Sequence, residues 1–266
     1  MIYVVPSLKA KEKLQCEGKA WAESQGFAYV PRGKRTIQDL MDEYGEDFLV
    51  YSSRGPQIDR PEGSHFFSLN MAELRIQNLR KGQRDHLLEA LMGKGSSQPP
   101  ISVLDCTCGF GADAAVASFG LPAGSRVDAL EVSPLLEAVT AWGFSHFVHK
   151  KDDVTAALRR ISLRCGDYRD YLLSDEGPVY DVLYFDPMFQ RPVEASCQFQ
   201  PVRAIMEHGG LTRDLIERAL QKARRRVVIK ERDFRQLCRD FPDVTLYGGK
   251  YSRIGYAVLE CDSWKK

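Results

Sequence analysis

From residue 101 onward, short apolar runs alternate with longer amphipathic stretches. Ile101-Ser-Val-Leu-Asp105, Ser125-Arg-Val-Asp-Ala-Leu-Glu131, Ile161-Ser-Leu-Arg-Cys165, Tyr180-Asp-Val-Leu-Tyr-Phe185 and Arg226-Val-Val-Ile-Lys230 have the length and side chains of buried strands. Between them, residues 112–119, 134–149, 152–160 and 211–223 read as helices. Ser133 is a candidate cap with Pro134 in the first turn behind it, and arginines follow residue 223, where a helix dipole favours cations. This alternation predicts a doubly wound, mostly parallel α/β sheet with helices on both faces. The rhythm changes near the end. Val244-Thr-Leu-Tyr247 and Ile254-Gly-Tyr-Ala-Val-Leu259 flank Gly248-Gly249, which predicts an antiparallel hairpin on the edge of the sheet.

Residues 1–92 do not share that alternation. Strands are expected at Ile2–Val5, Ala28–Val30 and Phe48–Tyr51, helices at Lys9–Gln25 and Thr36–Glu43, and one or two more helices over Met71–Met92. Gly93-Lys-Gly-Ser-Ser-Gln-Pro-Pro100 is a linker by composition. The expected organisation is a small N-terminal α/β domain over 1–92, a linker over 93–100 and a larger domain over 101–266.

Composition narrows this picture only a little. The net charge of +1 does not advertise a polyanion partner, so any nucleic-acid surface has to come from local clusters of Lys and Arg. Seven cysteines are scattered without a Cys-x-x-Cys pair, and His146 and His149 alone do not fix a metal, so buried thiols and no structural metal are expected. No apolar run approaches the roughly 18 residues of a membrane span, and Met1-Ile-Tyr-Val-Val-Pro6 lacks a basic leader. A cytoplasmic protein is the expectation.

The candidate chemistry lies at strand ends. Asp105-Cys-Thr107-Cys-Gly109-Phe-Gly111-Ala112-Asp113 puts two glycines between a strand and a helix, so the backbone can turn tightly against a ligand. Alone, such a turn also suits a dinucleotide or no ligand at all. Glu131, ending the next strand, can accept from both hydroxyls of a ribose, and Asp167, after the third, can meet an adenine amine. Together the three acids point to a nucleoside-containing cofactor at the carboxyl edge of the sheet. Asp186-Pro187-Met188-Phe189 suggests the reaction. An exocyclic amine is a poor nucleophile while its lone pair is delocalised, and a carboxylate with the carbonyl of Pro187 can hold its hydrogens and localise that pair. Phe189 can stack on a flat acceptor, a contact worth about 1–3 kcal/mol per base.

The order of these motifs resembles the class I S-adenosylmethionine (SAM)-dependent methyltransferases. Over residues 101–232 it is similar to the bacterial small-subunit ribosomal RNA guanine-N2 methyltransferases, which share the glycine turn and an Asp-Pro-Met-aromatic tetrad. The resemblance implies a Rossmann-like fold and a SAM site. Its cofactor contacts would lie along the turn from Asp105 and Thr107 to Gly109 and Gly111, and at Ala112, Asp113, Glu131, Val132, Gly166, Asp167 and Asp186. Asp186, Pro187 and Phe189 would be catalytic, with Phe189 on the substrate; Arg191 is a substrate candidate from its place beside the tetrad alone, since the segment Gln190–Ser196 departs from the family. Ala112 and Val132 depart from the family, which usually has a basic residue at the first position and a basic or aromatic one at the second.

The implied partner is RNA, either ribosomal RNA or the small subunit, gripped by the N-terminal domain and presenting an unpaired base. Basic groups that could hold its backbone are Arg32, Lys34 and Arg35; Arg75, Arg80, Lys81 and Arg84; Arg159, Arg160 and Arg164; and Arg224 to Arg226, with Lys230 and Arg253 weaker candidates. Three other readings stay open: methylation of a protein side-chain amide, a non-catalytic RNA-binding or cofactor-sensing module, and a nicotinamide-dependent dehydrogenase.

Overall fold

The structure is a computed structural model that describes residues 1–93, 99–187, 210–248 and 254–263. In chain order its elements begin with β1 (Tyr3–Pro6), α1 (Glu12–Ser24), β2 (Ala28–Tyr29), α2 (Ile37–Tyr44), β3 (Phe48–Ser52), β4 (Gly55–Arg60) and β5 (Gly63–Phe66). Two helices follow, α3 (Asn70–Arg80) and α4 (His86–Met92). Next come β6 (Ser102–Asp105), α5 (Ala112–Gly120), β7 (Arg126–Glu131), α6 (Pro134–His146), α7 (Asp152–Arg159), β8 (Ile161–Cys165), α8 (Tyr168–Leu173) and β9 (Val182–Phe185). The last are α9 (Arg213–Lys222), β10 (Arg226–Glu231), α10 (Arg235–Asp240), β11 (Thr245–Gly248) and β12 (Gly255–Glu260). No helix among the described residues is long and apolar enough to cross a membrane.

Two compact units result, and their limits differ from the expected division at residue 92. Among the described residues, the first takes 1–68 with 133–147, and the second takes 69–93, 99–132, 148–187, 210–248 and 254–263. The boundary shifts because α3 packs on α5 and α4 packs on β11 and β12, while α6 packs on β4.

In the first unit the sheet order is β2-β1-β3-β4-β5, with β1 parallel to both neighbours and the remaining pairs antiparallel. β4 and β5 are two strands that hydrophobic alternation does not reveal. All six residues of β4 are buried, its polar ones included. Gln57 Nε2 donates to Asp59 Oδ1 at 2.8 Å, Ser52 Oγ donates to Gln57 Oε1 at 3.0 Å, and Arg60 lies over the Phe48 ring. Pairing of this kind lets a polar strand be buried at low cost. Thr36 and Asp39 close a reciprocal capping box on α2.

Gly55 in this unit has φ +89°, and a Cβ there would lie 2.5 Å from the Trp142 ring. Gly55→Ala is therefore expected to destabilise the protein by about 2–4 kcal/mol, from backbone strain plus overpacking. Urea unfolding measures it, and a loss under about 1 kcal/mol would contradict this packing.

In the second unit the sheet order is β11-β12-β10-β9-β6-β7-β8. β6 to β10 run parallel, and β12 is antiparallel to both β10 and β11, as the end of the chain predicts. Alternation along the central strands sends Leu104, Leu183, Phe185, Val227 and Ile229 into one cluster with Tyr168 and Leu172 of α8 and Ile216, Ala219 and Leu220 of α9. Residues of opposite parity, such as Val103, Val182 and Val228, are equally buried, and α4 and α5 pack against this sheet as well. Both faces are thus covered, which is why these strands read as continuous apolar runs. At the start of β9, Asp181 Oδ2 accepts from Ser102 N at 2.8 Å and Ser102 Oγ at 2.7 Å, fixing the register of β9 beside β6.

Candidate active site

Chain order reverses between β6 and β9: β7 and β8 lie to one side of β6, and β9 and β10 to the other. In an open α/β sheet the crevice beyond the carboxyl ends of such a strand pair is where ligands bind. Asp105 ends β6, and Asp186 follows β9. The intervening backbone is stitched to both neighbours of β6, since Cys106 N donates to Tyr184 O at 2.8 Å and Cys108 N to Leu130 O at 2.9 Å. Gly109 (φ +54°) and Gly111 (φ +74°) then occupy the left-handed region, with Gly111 as the N-cap of α5.

The acids are tied to this turn. Thr107 N donates to Asp105 Oδ1 at 3.1 Å, Gly109 N donates to Glu131 Oε2 at 2.8 Å, and Asp186 N donates to Thr107 Oγ1 at 2.6 Å. The ends of β6, β7 and β9 are therefore joined into one hydrogen-bonded rim. Burial, reinforced by Asp113, pushes the Asp105 carboxyl well above the usual carboxylate range.

Behind the rim runs a chain of charges. Lys230 Nζ, at the end of β10, lies 2.7 Å from Asp186 Oδ2 and 2.8 Å from Asp113 Oδ2. Asp113 Oδ2 also accepts from the Tyr184 hydroxyl at 2.7 Å, and its Oδ1 accepts from Arg75 Nη1. Arg75 in turn grips Asp85 with two bonds of 2.8 Å, and Asp85 caps α4 through Leu87 N at 3.0 Å. Side-chain exposure is 14% at Lys230, 9% at Asp113 and 28% at Asp186, so these charges are only weakly screened by solvent. Burial pushes Asp186 up to about 6, with Lys230 opposing and Asp113 adding to the rise. Asp113 is held well below the carboxylate range: burial works against its charge, but Lys230 and Arg75 outweigh it. Lys230 is raised above its ordinary value by the two carboxylates, against the effect of burial.

Residues 63–254 match the protein-family model described as "Putative SAM-dependent methyltransferase". The chain belongs to this family. The uncharacterized protein YpiP of Bacillus subtilis (strain 168) is 28% identical to the methyltransferase over 230 residues, covering 86% of this chain and 88% of that one. A protein of Marinobacter nauticus named ribosomal RNA small subunit methyltransferase J is 28% identical over 194 residues, covering 72% of this chain and 66% of its own length. Among solved structures, the SAM-dependent methyltransferase NGO1261 of Neisseria gonorrhoeae superimposes with a TM-score of 0.62 at 18% identity, over 97% of this chain and 95% of that one. That likeness is one of fold.

The rim of the methyltransferase fits its cofactor chemically. SAM carries a sulfonium, an ammonium and a ribose diol, and the carboxyl edge presents Asp105, Glu131 and Asp186 beside a glycine turn. Among the described residues, a Cβ at Gly109 would meet only Thr107 O, at 3.9 Å, so none of them bars a close approach to the backbone there. Gly166 N donates to Glu131 O at 2.9 Å, which holds the β8–α8 loop against the same strand end.

Several expected residues have additional or different partners. Asp167 caps α8 through Arg169 N at 2.8 Å and also binds the Arg169 side chain. Asp113 faces Lys230, Arg75 and Tyr184. Ala112 opens α5, and Val132 follows β7, both half-buried. Pro187 is half-buried beside Asp186, whereas Met188, Phe189 and Arg191 lie outside the described residues, as does Arg253.

Some basic groups that could hold phosphate already have partners within the chain or are buried, although Arg80 and Arg160 remain exposed. Arg75 and Lys230 belong to the charge chain, Arg80 pairs with Asp153, Arg32 and Arg226 are buried, and Arg160 Nη2 donates to Ser118 O at 2.7 Å. Lys34, Lys81, Arg84, Arg159, Arg164 and Arg224 are exposed. Sequence reasoning had no role for Arg75, Asp85 and Tyr184 at this site. A lysine ending an apolar strand at an acid-lined edge is the signal that could have found Lys230.

Proposed function

We propose that this methyltransferase modifies an exocyclic amine of RNA, the N2 of a guanine in small-subunit ribosomal RNA. The observation that carries the reading is Asp186: a carboxylate fixed at the switch point, ahead of a proline, and ionised above a pH of about 6. The name of the Marinobacter relative supports the acceptor class.

When bound, SAM supplies an electrophilic methyl group in a single displacement. The chain's residues prepare the nucleophile. Asp186 accepts one hydrogen of the amine and the carbonyl of Pro187 the other, which draws the lone pair out of the base and onto the nitrogen. Phe189 stacks on the guanine, and Arg191 holds a phosphate close to it. Glu131 takes the ribose hydroxyls of the cofactor, the Gly109–Gly111 turn accommodates its amino-acid part, and Ala112, Val132, Gly166 and Asp167 line its remainder. Asp105 and Thr107 brace the turn, and Asp113 acts from behind through Lys230. The N-terminal unit grips the RNA, whose target base has to be unpaired for its amine to reach Asp186.

The test is transfer of labelled methyl from SAM to ribosomal RNA from cells lacking the gene, followed by mass spectrometry of the nucleosides. N2-methylguanosine is the expected product. Label confined to protein, or to a different nucleoside, would overturn the reading.

A further inference from the structure

The part of the charge chain nearest Asp186 has a use that the methyl-transfer reading leaves unassigned. Lys230 Nζ reaches only one oxygen of Asp186, Oδ2, at 2.7 Å. The same ammonium is held from behind by Asp113, itself secured by Arg75 and the Tyr184 hydroxyl. The backbone of Asp186 is fixed separately, by Thr107 Oγ1 at 2.6 Å. With the backbone of residue 186 held and one carboxylate oxygen bonded to a buried ammonium, rotation about χ2 is restrained and the second oxygen has a preferred direction. An orienting acceptor needs that property, because a hydrogen bond weakens steeply with misalignment.

We propose that Lys230 is a positioning residue for methyl transfer, clamping Asp186 through Oδ2 so that the other oxygen is presented to the acceptor amine. The inference rests on the proposed role of Asp186 in that reaction. Lys230 need not touch SAM or the acceptor. Its substitution reaches the reaction through the orientation and charge of Asp186.

The groups that bear on Asp186 come from four packed strands and a helix: Lys230 and Glu231 of β10, Asp105 of β6, Tyr184 of β9 and Asp113 of α5, with Tyr256 of β12 facing Lys230. Among them, Lys230 favours the ionised form of Asp186, and Asp113 and Glu231 oppose it. Removing the ammonium therefore raises the midpoint at which Asp186 ionises, and removing the Asp113 charge lowers it. Opposite shifts from neighbouring substitutions are not what general loosening of the fold produces.

The experiment has two readouts on the full chain. The first is a carbon-13 titration of aspartate-labelled protein, with the Asp186 resonance assigned by its loss in Asp186→Asn. The second is the pH profile of label transfer from SAM to ribosomal RNA of the gene-deletion strain. The wild-type midpoint is expected near 6, with the acid limb of the rate following it. Lys230→Met should move both upward by more than one pH unit, Asp113→Asn should move both downward, and Lys230→Arg should restore most of the wild-type position. Apparent SAM affinity should change by less than threefold. If Lys230→Met does not fold, the charge-balanced double variant Lys230→Met/Asp113→Asn takes its place, with a transfer rate at least tenfold below Asp113→Asn alone.

An unmoved Asp186 midpoint in Lys230→Met, or an equal rate in that double variant, overturns the proposal. So does a midpoint that moves without the acid limb. Absence of any label in RNA from the wild type, with the midpoints shifting as described, overturns the RNA reading but leaves the clamp on Asp186 supported.

Discussion

Asp186→Asn is expected to lower the rate of methyl transfer by roughly 10²–10⁴-fold, the range by which a positioned proton acceptor accelerates a reaction. The substitution preserves volume and leaves the backbone bond from residue 186 to Thr107 Oγ1 in place, so the rim should keep its shape. What is lost is the charge. A neutral amide accepts a hydrogen bond less strongly than a carboxylate, and its amino group faces either Lys230 or the incoming amine with a donor where an acceptor is required. Single-turnover transfer of label from SAM to ribosomal RNA reads the rate, and calorimetric titration with SAM reads cofactor affinity. The melting temperature should stay close to wild type, because Asp113 still neutralises Lys230. A rate within a few-fold of wild type would remove Asp186 from the chemistry.

Arg75→Met is expected to destabilise the protein by about 3–5 kcal/mol, since it strips a largely buried cation from two carboxylates. The guanidinium joins Asp85 to Asp113, so its loss leaves both acids with fewer partners inside the protein. Asp113 keeps Lys230 and Tyr184, and Asp85 keeps the amide of Leu87, so unfolding should be easier rather than complete. Urea denaturation measures the loss. The double variant Arg75→Met/Asp113→Asn should recover part of it, because removing both partners costs less than removing one. A single-variant loss under about 1 kcal/mol would mean that the bridge contributes little.

The strands that form the site were legible because they are buried on both faces. Residues such as Val182 to Phe185 and Arg226 to Ile229 leave no polar alternation to confuse the reading. The glycine turn was legible because its positive φ angles need glycine, and the hairpin because its strands flank a Gly-Gly pair. Elements whose burial depends on polar pairing escaped. β4, with Gly55, Pro56, Gln57, Asp59 and Arg60, has almost no apolar signal, and its side chains are satisfied by partners that only the fold brings together. The helix α8 escaped because Asp167 was weighed as a ligand group, and its capping of that helix shows only in the backbone. Charge partners separated by many residues, such as Arg75 with Asp113 and Lys230 with Asp186, leave no trace in local spacing.

The last two strands of the large sheet are laid down in one order and seated in another. β11 precedes β12 in the chain, yet β12 occupies the place beside β10 and β11 pairs outside it. A growing polypeptide that has reached Gly248 therefore carries a β11 whose one strand partner among the described residues, β12, has not been made. Until Gly255–Glu260 arrives, β10 itself, the strand that bears Lys230, has a bare flank. Synthesis that stops before Gly255 would thus forfeit two strands rather than one and expose the backbone of the strand that carries the clamp, an open template for pairing with other chains.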